Sequence, residues 1–123
     1  MKLSAVRIVT ADVAVLARFY EALTGVAPVG SEEYVELRAA CATLSISSTS
    51  AAKVCGGCDV AAATNRSVIL DFEVGDVDAE RVRLAAIVAD WVLEPTTQPW
   101  GNRSAMFRDP DGNLVNLFRR PRV

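Results

Sequence analysis

The sequence predicts an α+β fold. Two βαβββ modules would build a curved, eight-stranded mixed sheet with the helices on its outside. Three observations predict it. Strand-like and helix-like patterns follow one another as β-α-β-β-(β) and then as β-α-β-β-β. The starts of the two halves register at an offset of 64, SAVRIVTADV against VILDFEVGDV, so that Ala5 matches Ile69 and Asp12 matches Asp76. Neither half could bury both its helix stripe and its sheet face alone, so the two must pack together. The 123 residues fit one compact domain, with module one at about 1–60 and module two at about 61–123.

Residues 3–10, LSAVRIVT, alternate loosely and are rich in β-branched types, which predicts a strand. Asp12 follows and is placed to cap a helix. Leu16, Phe19, Tyr20 and Leu23 form the stripe of an amphipathic helix, with Gly25 as its C-terminal cap and Pro28 just beyond. Strands are expected at Glu33 to Ala39 and at Cys41 to Ser48, where YVEL and TLSIS alternate apolar and polar residues. Residues 49–66 read as a loop, with room for a short strand or helical turn.

In the second half, SVILDFEV at 67–74 is a strand and Asp76 is again placed to cap a helix. Leu84, Ile87, Val88 and Trp91 predict its amphipathic stripe. Pro95 and Pro99 bracket an edge strand or loop. Ser104 to Arg108 and Leu114 to Arg119 are strands. Between them, Asp109-Pro110-Asp111-Gly112-Asn113 is a hairpin turn in which Gly112 takes a positive φ.

Composition excludes several function classes. Apolar residues make up 51% of the chain, enough for a core, yet no apolar run reaches the roughly 20 residues of a membrane span. The start of the chain lacks a small-residue cleavage site, so no signal peptide and a cytoplasmic location are expected. Thirteen basic residues face fifteen acidic ones, for a net charge of −2, with no nucleic-acid footprint. The basic tail Arg119-Arg120-Pro121-Arg122 reads as a solvated end. Three cysteines argue against a disulfide framework. Histidine is absent, which removes the commonest general base near neutral pH and the commonest transition-metal ligand.

Two local motifs and the repeat carry a family resemblance over essentially the whole chain. Arg18-Phe19-Tyr20 followed by Leu23-Thr24-Gly25 looks like a "D…FY…LG" start. Trp100-Gly101-Asn102-Arg103, then Phe107-Arg108-Asp109-Pro110-Asp111-Gly112-Asn113-Leu114, closely resembles a "WG…F.DPDGN" ending. Together they resemble the glyoxalase/bleomycin-resistance/extradiol-dioxygenase (vicinal oxygen chelate) superfamily. The resemblance implies a U-shaped pocket between modules and, in metal-dependent members, ligands on four strands. Those positions fall here on Ala5, Ser45, Ile69 and Asn116. Ala5 and Ile69 offer no donor, while Ser45 and Asn116 offer neutral oxygens, so no metal and no cofactor are expected.

The candidate ligand-binding residues are Trp100, Phe107, Asn116, Ser45 and Arg7. Trp100 and Phe107 would offer aromatic surface, with core packing the competing role for Phe107. Asn116 and Ser45 would orient a guest by hydrogen bonds. Arg7 shares the strand face of Ala5 by period two and would attract an acidic ligand, or pair with Glu36 or Asp71. No catalytic residue is assigned. Cys55-Gly56-Gly57-Cys58 reads as two small thiols in a loop. A soft-metal site with Cys41, or a redox pair, is the alternative. The expected function is metal-free binding of a small molecule, such as a drug or natural product, by a homodimer. The alternatives are a divergent enzyme using Glu36, Asp71 or Glu73 as base or metal ligand, and a partner module for another protein.

Overall fold

The computed structural model describes residues 1–53 and 59–122. Cys55 and Cys58 therefore lie outside the described residues. The chain divides into two compact units, residues 1–64 and 65–123. The eight strands are hydrogen-bonded as two four-stranded mixed sheets, one in each unit.

In the first unit, β1 (Ala5–Thr10) leads to α1 (Val13–Thr24). The helix starts where expected because Asp12 accepts a hydrogen bond from the Val15 amide at 3.1 Å. It stops at Gly25, whose φ of 74° is open to a residue without Cβ and whose amide donates to the Glu21 carbonyl at 2.8 Å. Val13, Leu16, Ala17, Tyr20 and Leu23 form its buried stripe. Then follow β2 (Val29–Gly30), β3 (Tyr34–Arg38), β4 (Thr43–Ser48) and a one-turn helix, α2 (Thr49–Ala52). The two-residue β2 is too short to show an alternation, so the sequence gives no sign of it.

The strand order is β1-β4-β3-β2, with β1 parallel to β4 and the other pairs antiparallel. The register puts Ile8, Ile46 and Val35 in one row, on the face covered by α1. Ile46 is fully buried there. The opposite face carries Arg7, Ser45 and Glu36 in one row and Val9, Ser47 and Tyr34 in the next.

The second unit repeats the plan. It contains β5 (Ile69–Glu73), α3 (Val77–Arg83), β6 (Asp90–Thr97), β7 (Arg103–Arg108) and β8 (Leu114–Arg119), in the order β5-β8-β7-β6. Asp76 caps α3 by accepting from the Ala79 amide at 3.0 Å. Acidic Asp78 and Glu80 sit in its first turn and basic Arg81 and Arg83 in its last, matching the helix dipole.

Here the expected stripe needs correction. The α-helix ends at Arg83, and Leu84–Ala86 form a 3-10 turn closed by the Ile87 and Val88 amides on the Leu84 carbonyl. Leu84 and Val88 are buried, Ile87 is 39% exposed, and Trp91 lies on β6. Trp91, Leu93 and Pro95 alternate with exposed Val92 and Glu94, a period of two that the helical spacing had masked. Pro95 is accommodated because β6 is an edge strand with register shifts between Trp91 and Leu93 and between Leu93 and Thr96.

Candidate functional site

Ser45 and Arg7 meet on the first unit's polar sheet face. They are cross-strand partners on parallel β4 and β1. Ser45 is buried, and its Oγ accepts a hydrogen bond from the Tyr34 hydroxyl at 3.1 Å. The Arg7 guanidinium stacks over the Tyr34 ring, 5.4 Å from its centroid. Arg7 does not pair with Glu36, whose carboxylate accepts from Arg38 at 3.4 Å. Tyr34 therefore joins the group. Its place in the alternating YVEL segment marks its face, but its approach to Ser45 depends on a strand register that no local pattern shows.

Asn116 occupies the equivalent position in the second unit. Its cross-strand partner on β5 is Asp71, and its side-chain amide donates to the Asp71 carboxylate at 2.9 Å. The Asn116 Oδ1 is buried with no hydrogen-bond partner. Glu73, on the same strand face, accepts from Arg120 at 3.1 Å. Each strand carboxylate considered as a base, Glu36, Asp71 and Glu73, thus has a side-chain hydrogen-bond donor.

Phe107 is not on this face, which corrects its assignment as a ligand contact. Asn116 pairs with Met106, so Phe107, one residue on, points to the other side of β7. There it is fully buried, with Val115 as its cross-strand partner and its ring edge-on to Trp91 at 5.2 Å between centroids. Trp100 lies in the turn between β6 and β7 and is 69% exposed.

The motif after Phe107 is a self-contained turn. Asp109 is buried and accepts from the amides of Asp111 and Asn113 at 2.9 Å each, and from the Asn113 side chain at 2.8 Å. Gly112 takes a φ of 83°. This turn sets β7 and β8 in register, and with them the face on which Asn116 lies.

The superfamily resemblance implies a divalent metal in some members, and the residues here do not fit one. Ala5 and Ile69 have no donor atoms. The Ser45 Oγ already accepts a hydrogen bond and a guanidinium stands beside it, while the Asn116 Oδ1 is without a partner but neutral. Among the described residues, no group of three or more His, Cys, Asp or Glu is placed to hold a metal. A cation losing its water shell needs several anionic or imidazole donors, and this set offers two neutral oxygens.

An open cleft of about 570 Å³ in the first unit escaped the sequence reading. It lies at the start of α1 and is lined by Asp12, Ala14, Ser31, Glu32, Glu33 and Ser48, among others. Glu33 accepts a hydrogen bond from the Ser48 hydroxyl. The cleft includes none of the residues singled out as ligand contacts.

The charged pairs of the second unit are structural links. Arg103 donates two hydrogen bonds to Asp78, at 2.6 and 2.7 Å, joining β7 to α3. This guanidinium holds the Asp78 carboxyl below the usual carboxylate range. Arg81 likewise joins α3 to Glu94 at 2.7 and 3.0 Å and stacks over Trp91 at 4.2 Å.

No helix is long and apolar enough to cross a membrane among the described residues. Solved structures similar to this chain include a glyoxalase-related enzyme from Fulvimarina pelagi, at 21% identity and a TM-score of 0.84, covering 98% of this chain and 88% of that one. A glyoxalase/bleomycin resistance protein/dioxygenase family enzyme from Burkholderia phytofirmans PsJN is similar at 19% identity and a TM-score of 0.83, over 97% and 98% of the two chains. TioX from Micromonospora sp. ML1 is similar at 20% identity and a TM-score of 0.71, over 98% and 99%. No curated protein matches the sequence. Residues 5–118 match the family model of the glyoxalase-like domain, and the chain therefore belongs to that family.

Proposed function

We infer that this protein is a metal-free binder of a small organic molecule. The observation that carries the reading is the state of Ser45 and Asn116. These side chains stand where metal-dependent members would hold ligands, and both are neutral and engaged with Tyr34 and Asp71. Such groups orient a guest by hydrogen bonds but do not replace the water shell of a divalent ion. Within the first unit Arg7 supplies charge, and within the second the exposed ring of Trp100 supplies apolar surface for stacking. A homodimer and a cytoplasmic location belong to the same reading. Half-exposed Val6 and Ile69 on the edge strands β1 and β5 support the first, and size-exclusion chromatography with light scattering tests it.

Metal analysis together with a thermal-shift screen tests the central claim. The purified protein is expected to carry far less than one equivalent of zinc, iron, nickel or manganese. Ligands binding the folded state raise its melting temperature by mass action. A compound at 100 times its Kd adds about 2.7 kcal/mol. At roughly 2.1 cal/mol/K of unfolding entropy per residue, that is about 10 °C for this chain. Stoichiometric metal, or no shift with any member of a broad natural-product and drug panel, would overturn the reading.

A further inference from the structure

We propose that the polar sheet face of the first unit binds a small organic anion, a carboxylate or sulfonate, through Arg7. The proposal rests on the binding reading above and names the chemistry of its ligand.

Three observations carry it. First, Arg7 has no carboxylate within ion-pair distance among the described residues, whereas Arg38 is matched by Glu36 at 3.4 Å and Arg103 by Asp78 at 2.6 Å. Arg108 and Arg119 are likewise without a carboxylate but donate to the Gly112 and Arg120 carbonyls, and Arg7 has no such hydrogen-bond acceptor among the described residues. Second, its guanidinium lies over the Tyr34 ring, 5.4 Å from the centroid, and the Tyr34 hydroxyl donates to buried Ser45. Among the described residues its N–H groups have no hydrogen-bond acceptor, so they are available to the two oxygens of an anion. Third, the same face keeps an unused hydroxyl. Ser47, in the row of Tyr34, is fully buried and its Oγ has no hydrogen-bond partner. A guanidinium without a carboxylate partner, on the face that also carries a hydroxyl without one, suits an oxyanion.

Two dyes with one aromatic frame isolate the charge. 8-Anilinonaphthalene-1-sulfonate carries a sulfonate, and N-phenyl-1-naphthylamine is the same frame without it. Fluorescence titration is expected to give a Kd at least about tenfold lower for the sulfonate. R7Q should remove that advantage and leave the neutral dye unchanged, while R7K, a charge without the fork, should keep part of it. R38Q removes an equal charge from an arginine already paired on this face, and should leave both dyes within about twofold. Arg7 is exposed, so R7Q is expected to fold, and its melting curve checks this.

Equal affinity for the two dyes would overturn the anion assignment alone, because a neutral guest would still bind. So would an unchanged sulfonate affinity in R7Q, or an equal loss in R7Q and R38Q, which would mean general charge attraction. Failure of both dyes together with the whole thermal-shift panel would defeat the binding reading itself.

Discussion

Truncating Phe107 separates a core residue from a ligand contact, and the structure sets the size of the effect. The side chain is fully buried and edge-on to Trp91 at 5.2 Å and 64°. Phe107→Ala removes the ring and leaves a cavity between β7 and its neighbours, at a cost of about 3–5 kcal/mol. About 0.5–1.5 kcal/mol of that is aromatic pairing beyond buried area. With 123 residues at roughly 2.1 cal/mol/K each, unfolding entropy is about 0.26 kcal/mol/K. The melting temperature should therefore fall by about 12–19 °C. Calorimetry or far-UV circular dichroism reads this directly. A double-mutant cycle with Trp91→Leu should recover a coupling of about 0.5–1.5 kcal/mol. A loss under about 1 kcal/mol accompanied by weakened ligand binding would refute the reasoning. It would mean that the ring faces a guest and not the core.

Trp100→Ala should behave oppositely: its ring is 69% exposed, so stability should change by no more than about 0.5 kcal/mol in chemical denaturation, while the affinity of an aromatic ligand falls. Asp109→Ala strands one buried and one half-buried amide and the Asn113 side chain, and should cost about 2–4 kcal/mol by urea denaturation, with Asp109→Asn recovering part of it. Arg103 holds the folded Asp78 below its unfolded value, so the pair stabilises above about pH 4 and its contribution is lost as pH falls through the lower, folded value. The melting-temperature gap between the parent and Asp78→Asn should therefore be largest near neutral pH and close in strong acid. A gap that widened on acidification would contradict the sign. Adding zinc, nickel or manganese at equimolar concentration should leave the melting temperature unchanged, since the Ala5 and Ile69 side chains contribute no donor and Ser45 and Asn116 contribute only neutral oxygens.

The helix caps and the hairpin were legible in the sequence because each is closed within a few residues. Asp12 and Asp76 each bond an amide three positions ahead, and Asp109 bonds its own turn. Strands with clear alternation, such as YVEL in β3 and TLSIS in β4, were legible for the same reason. Where two periods overlapped, the sequence misled. Trp91 fits the helical spacing from Leu84, but it also starts a run of alternating residues, and the edge pairing with β7 prevailed.

The candidate site was legible in its residue types and not in its contacts. That Ala5, Ser45, Ile69 and Asn116 are neither histidine nor carboxylate is read directly from the linear chain. That Arg7 stacks on Tyr34 and leaves Glu36 to Arg38 is not, nor is the pairing of Asn116 with Asp71. Phe107 and Asn116 both lie after recognisable motif residues, yet they point to opposite sides of their sheet.

The linear chain by itself determined where the two main helices start, where the last hairpin turns, the twofold repeat of the plan and the family to which it belongs, since caps, turns and clear periodicity are local interactions. Only the tertiary structure decided which side chains share a sheet face and which charges neutralise one another. Those outcomes depend on strand register between segments tens of residues apart, such as Arg7 with Ser45 and Asp71 with Asn116. A slip of one residue would turn every side chain to the other face.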